Sequence, residues 1–354
     1  MHVDHLSEQF SKPLLSWFAK HGRKNLPWQS PRSPYRVWVS EIMLQQTQVQ
    51  TVIPYFERFI ERFSSVTDLA NAHEDEVLSL WSGLGYYSRA HNLHKTAKII
   101  VSDYQSIFPD EPMLLNELPG IGESTAAAIV SQAFNKHAAI LDGNVKRVLT
   151  RFFRIKGHPE QAQIKKKLWE LANTCMPHEQ CADYTQAIMD LGATCCTTKN
   201  FTCQNCPLQN NCQAFLHQEQ YEYPTKKIRK PVPVQQQQLL VLLNQQGQIY
   251  LEKRPSTGLW GGLWCLPSTE EGNCPLQFIE ANYDLKGNEA KPLIAFKHRF
   301  SHFLLEINAQ SIKTKSLGNK VAEQSGHWFS KEELSSLGLA KPTSKILSLL
   351  STLS

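Results

Sequence analysis

Apolar residues recur at three- and four-residue spacings from about residue 7 to about residue 220. Val52, Ile53, Phe56, Phe59 and Ile60 make one such set. Val77, Leu80, Trp81 and Leu84 make a second, and Val145, Val148, Leu149 and Phe152 a third. That spacing places each set on one face of a helix. Gly and Pro interrupt the pattern at "SGLGYY", "IFPDEP" and "LPGIG", which are turn signals. A mostly α region of several helices is expected over residues 1–222.

At "YPTKKIRKPVPVQQQQ" the texture changes to prolines, a basic run and glutamines. Residues 223–235 read as an exposed linker. Beyond it, "LLVLLNQQGQIYLEKR" holds two strand-like runs around a Gln-Gln-Gly turn, and "LIAFKHRFSHFLLEINA" and "GHWFS" are further strand candidates. Helices are expected near Pro275 to Tyr283 and Lys341 to Leu350. Residues 236–354 therefore form an α+β domain.

The chain is 41% hydrophobic and 19% charged, which supports ordered cores over disorder. No run approaches the roughly 18 apolar residues of a membrane span, and "MHVDHLSEQF" is no signal peptide. A soluble, cytoplasmic monomer is expected. The net charge of +5 permits a polyanionic partner without requiring one.

Cysteine usage adds candidate chemistry. Seven of the nine cysteines fall between Cys175 and Cys212, a clustering that argues for a metal site over a disulfide framework. Cys196, Cys203, Cys206 and Cys212 are spaced C-x6-C-x2-C-x5-C. Four thiolates can hold Zn2+ or a [4Fe-4S] cluster.

In "LPGIGESTAAAI", Gly120 and Gly122 allow close backbone approach ahead of a helix N-terminus, an arrangement suited to a phosphate. Further on, "AILDGNVKRVLTRFF" presents Asp142, either a helix N-cap or a carboxylate aimed at developing positive charge. Lys146 and Arg147 suit phosphate contacts. Glu41 lies inside the apolar helical run "VWVSEIML", where lost hydration would raise its pKa and let it hold a proton. Gln45 and Gln46 follow on the same run.

Together, the four-cysteine spacing, "LPGIG" followed by "LDGNVKR", and "LPWQSPRSPYRVWVSEIMLQQTQV" resemble the MutY-type adenine glycosylases of the endonuclease III superfamily. The resemblance runs over nearly the whole chain. It implies a helix-hairpin-helix glycosylase fold, with a six-helix barrel and a [4Fe-4S] loop, followed by a Nudix-like domain. It also implies excision of adenine opposite 8-oxoguanine or guanine in double-stranded DNA, at the nucleoid. By this resemblance Glu41 protonates the adenine N7, Asp142 offsets the cationic sugar and Asn144 orients the pair. Gln45 and Gln46 fill the gap left by the flipped nucleotide, Tyr86 is a wedge, Arg89 meets a phosphate, and Gln186 sits at the adenine edge. Relatives that also cleave the strand carry a lysine where this chain has Ser124, so the enzyme should be monofunctional. The "FSH" loop, Phe300, Ser301 and His302, would contact 8-oxoguanine.

Two departures matter. Gln29 follows "LPW" where many relatives have arginine, which puts a charge-assisted adenine contact in doubt. The C-terminal domain has no Glu-rich Nudix box, so recognition is expected of it, not hydrolysis. The competing readings are an abasic-site lyase of the endonuclease III type, which Ser124 disfavours, and a non-catalytic iron–sulfur DNA-binding protein, which the pairing of Glu41 with Asp142 disfavours.

Overall fold

The computed structural model describes residues 6–226, 231–255, 258–300, 302–317 and 326–352. Part of the basic run, residues 227–230, and the anticipated recognition residue Ser301 lie outside the described residues. The chain divides into two compact units. One comprises Met1–Asn71 and Asn92–Ile228, the other Ala72–His91 and Arg229–Ser354.

The first unit is helical. Its helices are α1 (Lys12–His21), α2 (Pro34–Leu44), α3 (Val49–Arg62) and α4 (Val66–Asn71). After α5 (Glu74–Leu80), which belongs to the second unit, and α6 (Ser88–Tyr104), which belongs to the first from Asn92 onward, come α7 (Pro112–Asn116), α8 (Glu123–Phe134), α9 (Gly143–Phe152), α10 (Ala162–Cys175), α11 (Cys181–Asp190) and α12 (Gln213–Leu216). Helix α8 is the centre. Ala126 to Gln132 are all buried, and the small side chains of Ala126, Ala127, Ala128 and Ser131 leave room for α2 and α11 to pack against it. The hydroxyls of Thr185 and Ser131 meet at 3.0 Å across the α8–α11 contact.

Helix α2 starts where Ser33 accepts a hydrogen bond from the Arg36 N–H at 3.3 Å and Pro34 occupies the first turn. Proline suits that place, since its missing N–H would have had no helical partner. Trp38 and Met43 on α2 are fully buried; truncating such a tryptophan costs about 3–5 kcal/mol.

The second unit is built on a seven-stranded sheet in the order β3-β2-β1-β6-β5, with β4 on β1 and β7 on β2. Its strands are β1 (Val234–Leu243), β2 (Ile249–Lys253), β3 (Trp264–Cys265), β4 (Ser268–Glu270), β5 (Leu285–Arg299), β6 (Leu304–Ser316) and β7 (Gly326–Phe329). β1 and β6 run parallel; the other pairs are antiparallel. Helices α13 (Pro275–Tyr283) and α14 (Lys341–Thr352) complete it. The glutamine run is ladder: β1 begins at Val234, and Val234 to Leu243 pair with Leu304 to Lys313. Two of its amides are bonded, Gln236 donating to Glu306 and Gln238 donating to the Glu270 and Asn273 carbonyls and accepting from Gln310. That is why so polar a segment can sit in a strand.

Residues 72–91 pack on this sheet unit. Lys253 pairs with Asp75 at 2.6 Å. The two ring nitrogens of His91 face the Glu74 carboxylate at 2.8 Å and the Gly261 carbonyl at 2.9 Å. A side chain at Gly338 would meet Leu78 at 3.0 Å.

Candidate active site

Within the helical unit, a cavity of about 790 Å³ is lined by Glu41, Gln45, Gln46, Ser124, Asp142, Asn144 and Gln186, with Arg23, Leu26, Trp28 and Thr125 among its other walls. Four helices meet here: Glu41 comes from α2, Ser124 from the first turn of α8, Asp142 and Asn144 from the start of α9, and Gln186 from α11. Residues far apart in the chain thus share one space.

The two carboxyl groups live in different settings. Burial pushes Glu41 up to about 7; an amide hydrogen bond from Gln132 at 3.0 Å opposes the rise, and the charge of Asp142 adds to it. Burial also pushes Asp142 up, but more donors hold its charged form. The Val145 N–H reaches Oδ1 at 2.8 Å, the Asn144 amide reaches Oδ2 at 3.1 Å, and the charge of Arg147 pulls the same way. Asp142 is indeed the N-cap of α9. Capping and cavity lining coexist, because an N-cap carboxylate spends one oxygen on the helix and keeps the other for its surroundings.

The supports of Asp142 extend to the cysteine loop. Arg147 donates to Asn144 Oδ1 at 2.7 Å, to the Gly192 carbonyl at 2.6 Å and to the Cys196 carbonyl at 2.7 Å. Glycine at 192 is what lets the loop approach, since a side chain there would come within 2.5 Å of Asn144 Cβ. Ser124 accepts the Leu141 N–H at 3.0 Å, tying the glycine turn to the residue before Asp142. Gln45 donates to Thr125 at 3.4 Å, and Gln46, exposed, takes a left-handed backbone with φ 58°.

The glycine turn divides its duties. Gly120 has φ +79°, and a side chain there would strike Asn92 at 2.7 Å, so its bareness serves helix packing. Gly122 has open space beside it and caps α8 without a side-chain hydrogen bond. The missing side chain is required by packing at Gly120, whereas at Gly122 it leaves the space beside the backbone open. Lys146, anticipated at a phosphate, is ion-paired to Glu160 at 2.6 Å.

Tyr86, Phe300 and His302 line a separate pocket of about 480 Å³ within the second unit. Tyr86 is 46% exposed on a left-handed turn, φ 51°. Phe300 stacks on Phe303 at 4.5 Å and lies 5.7 Å from Trp260. Arg89 was expected at a phosphate; it is instead buried, with its guanidinium between the Trp81 and Tyr86 rings and donating to the Gly85 carbonyl at 3.0 Å. It braces the turn that carries Tyr86.

N–H donors converge on the four spaced cysteines. Arg151 reaches Cys196 Sγ at 3.2 Å and the Gln220 amide reaches Cys203 Sγ at 3.9 Å. The backbone of Leu208 donates to Cys206, and those of Phe215 and Ala214 to Cys212. Donors of this kind suit sulfurs that carry charge as ligands. Among the described residues, no group of three or more His, Cys, Asp or Glu side chains already stands as a metal site.

Sequence patterns miss several participants. Gln132, Arg23 and Asp190 carry no motif of their own. Gln29 accepts the Leu26 N–H at 3.2 Å and does not line the main cavity.

Comparison with known proteins adds the following. Residues 39–174 match the HhH-GPD superfamily of base excision DNA repair proteins, and residues 238–349 match the NUDIX domain. The chain is 39% identical over 339 residues to the adenine DNA glycosylase of Buchnera aphidicola (subsp. Schizaphis graminum), covering 96% of this chain and 97% of the relative. It is 32% identical to the human adenine DNA glycosylase, covering 95% of this chain and 73% of that one. Among solved structures, a thermostable thymine-DNA glycosylase superposes with a TM-score of 0.55 at 27% identity, over 60% of this chain and 98% of that one. Endonuclease III in a non-covalent DNA complex shares the fold, with a TM-score of 0.50 at 21% identity over 62% of this chain and 98% of that one. No helix among the described residues is long and apolar enough to cross a membrane. With a helix-hairpin-helix region, a Nudix-type region and relatives matched along nearly its whole length, this chain belongs to the adenine DNA glycosylase family of base-excision repair enzymes.

Proposed function

We propose that the enzyme hydrolyses the N-glycosidic bond of adenine mispaired with 8-oxoguanine or guanine in duplex DNA. The observation that carries this reading is that Glu41 and Asp142 line one cavity with unequal support for their charges. An adenine swung out of the helix would enter the cavity. Glu41, able to hold a proton near neutral pH, gives it to N7. The C1′–N9 bond then breaks with its electron pair leaving on the base. The positive charge left on the sugar is offset by Asp142, whose charge Val145, Asn144 and Arg147 support. Water adds at C1′, and Glu41, now a carboxylate, accepts its proton. Ser124 supplies no amine, so no Schiff base forms and the strand stays intact. Gln45 and Gln46 would enter the gap in the base stack, and Gln186 would meet the base edge.

Cys196, Cys203, Cys206 and Cys212 would hold a [4Fe-4S] cluster as thiolates, and its iron–sulfur bonds would pin the loop between them. Tyr86, Phe300 and His302 form the surface proposed to read the oxidised guanine. The functional division proposed is 1–222 for excision, 223–235 as connection and 236–354 for recognition, in a monomer acting at the nucleoid.

The test is base release from a duplex holding one A:8-oxoguanine pair, under single-turnover conditions. Wild-type protein should release adenine without nicking the strand. Release that survives undiminished in both Glu41→Gln and Asp142→Asn would sink the assignment.

A further inference from the structure

The amide of Gln186 raises a question of orientation. Gln186 is 2% exposed and lines the cavity. Its Nε2 donates to Asp190 Oδ1 at 2.8 Å, while its Oε1 is buried with no hydrogen-bond partner. Leaving such an acceptor unmade is unfavourable, which makes it a candidate for contact with an occupant.

Asp190 explains why the amide cannot turn over. It is 1% exposed and ion-paired with Arg23. Arg23 donates through Nε at 2.9 Å and Nη2 at 2.7 Å to Oδ1, and through its backbone N–H at 2.7 Å to Oδ2. A carboxylate held this way only accepts. If the Gln186 amide flipped, oxygen would face oxygen. Asp190 does not line the cavity, so Gln186 spends its donor away from it and keeps a buried acceptor without a partner at the cavity wall.

We propose that Asp190, clamped by Arg23, is a positioning residue that locks Gln186 with its oxygen toward the cavity, so that the site reads the exocyclic amino group of adenine and rejects 6-oxopurines. The proposal rests on the adenine-excision reading. Protonated Glu41 is a donor and Gln186 Oε1 an acceptor. Adenine shows the complementary edge, an acceptor at N7 beside a donor at N6, whereas guanine and hypoxanthine show two acceptors there. A base held at N7 by Glu41 would set its O6 against the Gln186 oxygen.

The experiment compares duplexes carrying adenine or hypoxanthine opposite 8-oxoguanine, with wild type and Asp190→Asn. Asparagine both donates and accepts, so the lock is released at nearly constant volume. The adenine-to-hypoxanthine ratio of single-turnover rates should fall by about tenfold or more. Parallel losses that leave the ratio unchanged would assign Asp190 a merely structural role and overturn the proposal. A second measurement needs no substitution. With 2′-fluoro nucleotides, which resist cleavage, wild-type affinity should fall in the order adenine, unsubstituted purine, hypoxanthine; equal affinities would also overturn it. Wild-type protein that releases no adenine at all would instead defeat the proposed function, a result separate from either of these.

Discussion

The two pockets of this molecule are made of different materials. The cavity of the helical unit has two carboxyl groups and several amides: Glu41 is held by Gln132 from another helix, while Asp142 and Gln186 are held by Asn144 and Asp190 on their own. The pocket of the sheet unit is walled by Tyr86, Trp260, His298 and Phe300, with Gly258 and Gly261 between, and among the described residues no carboxylate lines it. The first can move protons and offset charge. The second offers rings and backbone to a flat surface. Under the proposed division of bond breaking from reading, substitutions in the two places should fail in different ways.

The largest expected effect is at Glu41. Glu41→Gln should lower the rate of adenine release by about a thousandfold, within the usual range for general acid–base catalysis, with binding to a non-cleavable duplex retained. The wild-type rate should also fall as pH rises through about 7, where Glu41 loses its proton; the pH–rate profile of the chemical step checks this.

Asp142→Asn comes next, with a loss of about a hundredfold or more, the scale of removing one preorganised electrostatic partner. Asparagine caps helices about as well as aspartate. Thermal stability should therefore change by less than about 1 kcal/mol, and denaturation scans would separate the charge from the cap.

Tyr86→Ala and Phe300→Ala should behave otherwise. Loss of a stacking ring costs about 1–3 kcal/mol per base, so the preference for A:8-oxoguanine over A:G should drop by about tenfold while A:G turnover persists. If either abolished both activities equally, the separation of reading from chemistry would fail.

A further effect, on folding and not on rate, also belongs to Glu41. Because the pKa of Glu41 is raised on folding, the native state binds its proton more tightly than the unfolded chain. Stability is fully present below about 4.5, declines as pH rises from there to about 7, and stays reduced above that. Glu41→Gln should therefore stabilise the protein at pH 8 by on the order of 2–3 kcal/mol and make little difference at pH 4, as measured by melting at the two pH values.

Much of this was legible in the sequence where the signal is local. The periodic set at Val145, Val148, Leu149 and Phe152 became α9, and its first carboxylate is the cap. α13 spans Pro275–Tyr283, as its proline start suggests. What could not be read depends on distant pairing. Gln132 stands 91 residues from Glu41, and Arg23 stands 167 from Asp190; neither leaves a mark at its own position. The linker reading over 223–235 takes in Val234 and Gln235, which begin β1, because composition reports the side chains and not the ladder they enter. Arg89 looked like a phosphate ligand because a guanidinium in a turn announces its charge, while the carbonyls it serves are invisible.

Residues 72–91 carry a practical warning for anyone dissecting the protein at the sequence boundary. Val77, Leu78 and Trp81 are fully buried in a unit whose remainder begins at Arg229. Cutting the chain near residue 225 would strip the cover from that greasy face, and the fragment would be prone to self-association. A truncated enzyme that performs poorly could be suffering from stickiness as much as from a lost reader, so single-residue changes on the ring surface are the cleaner instrument.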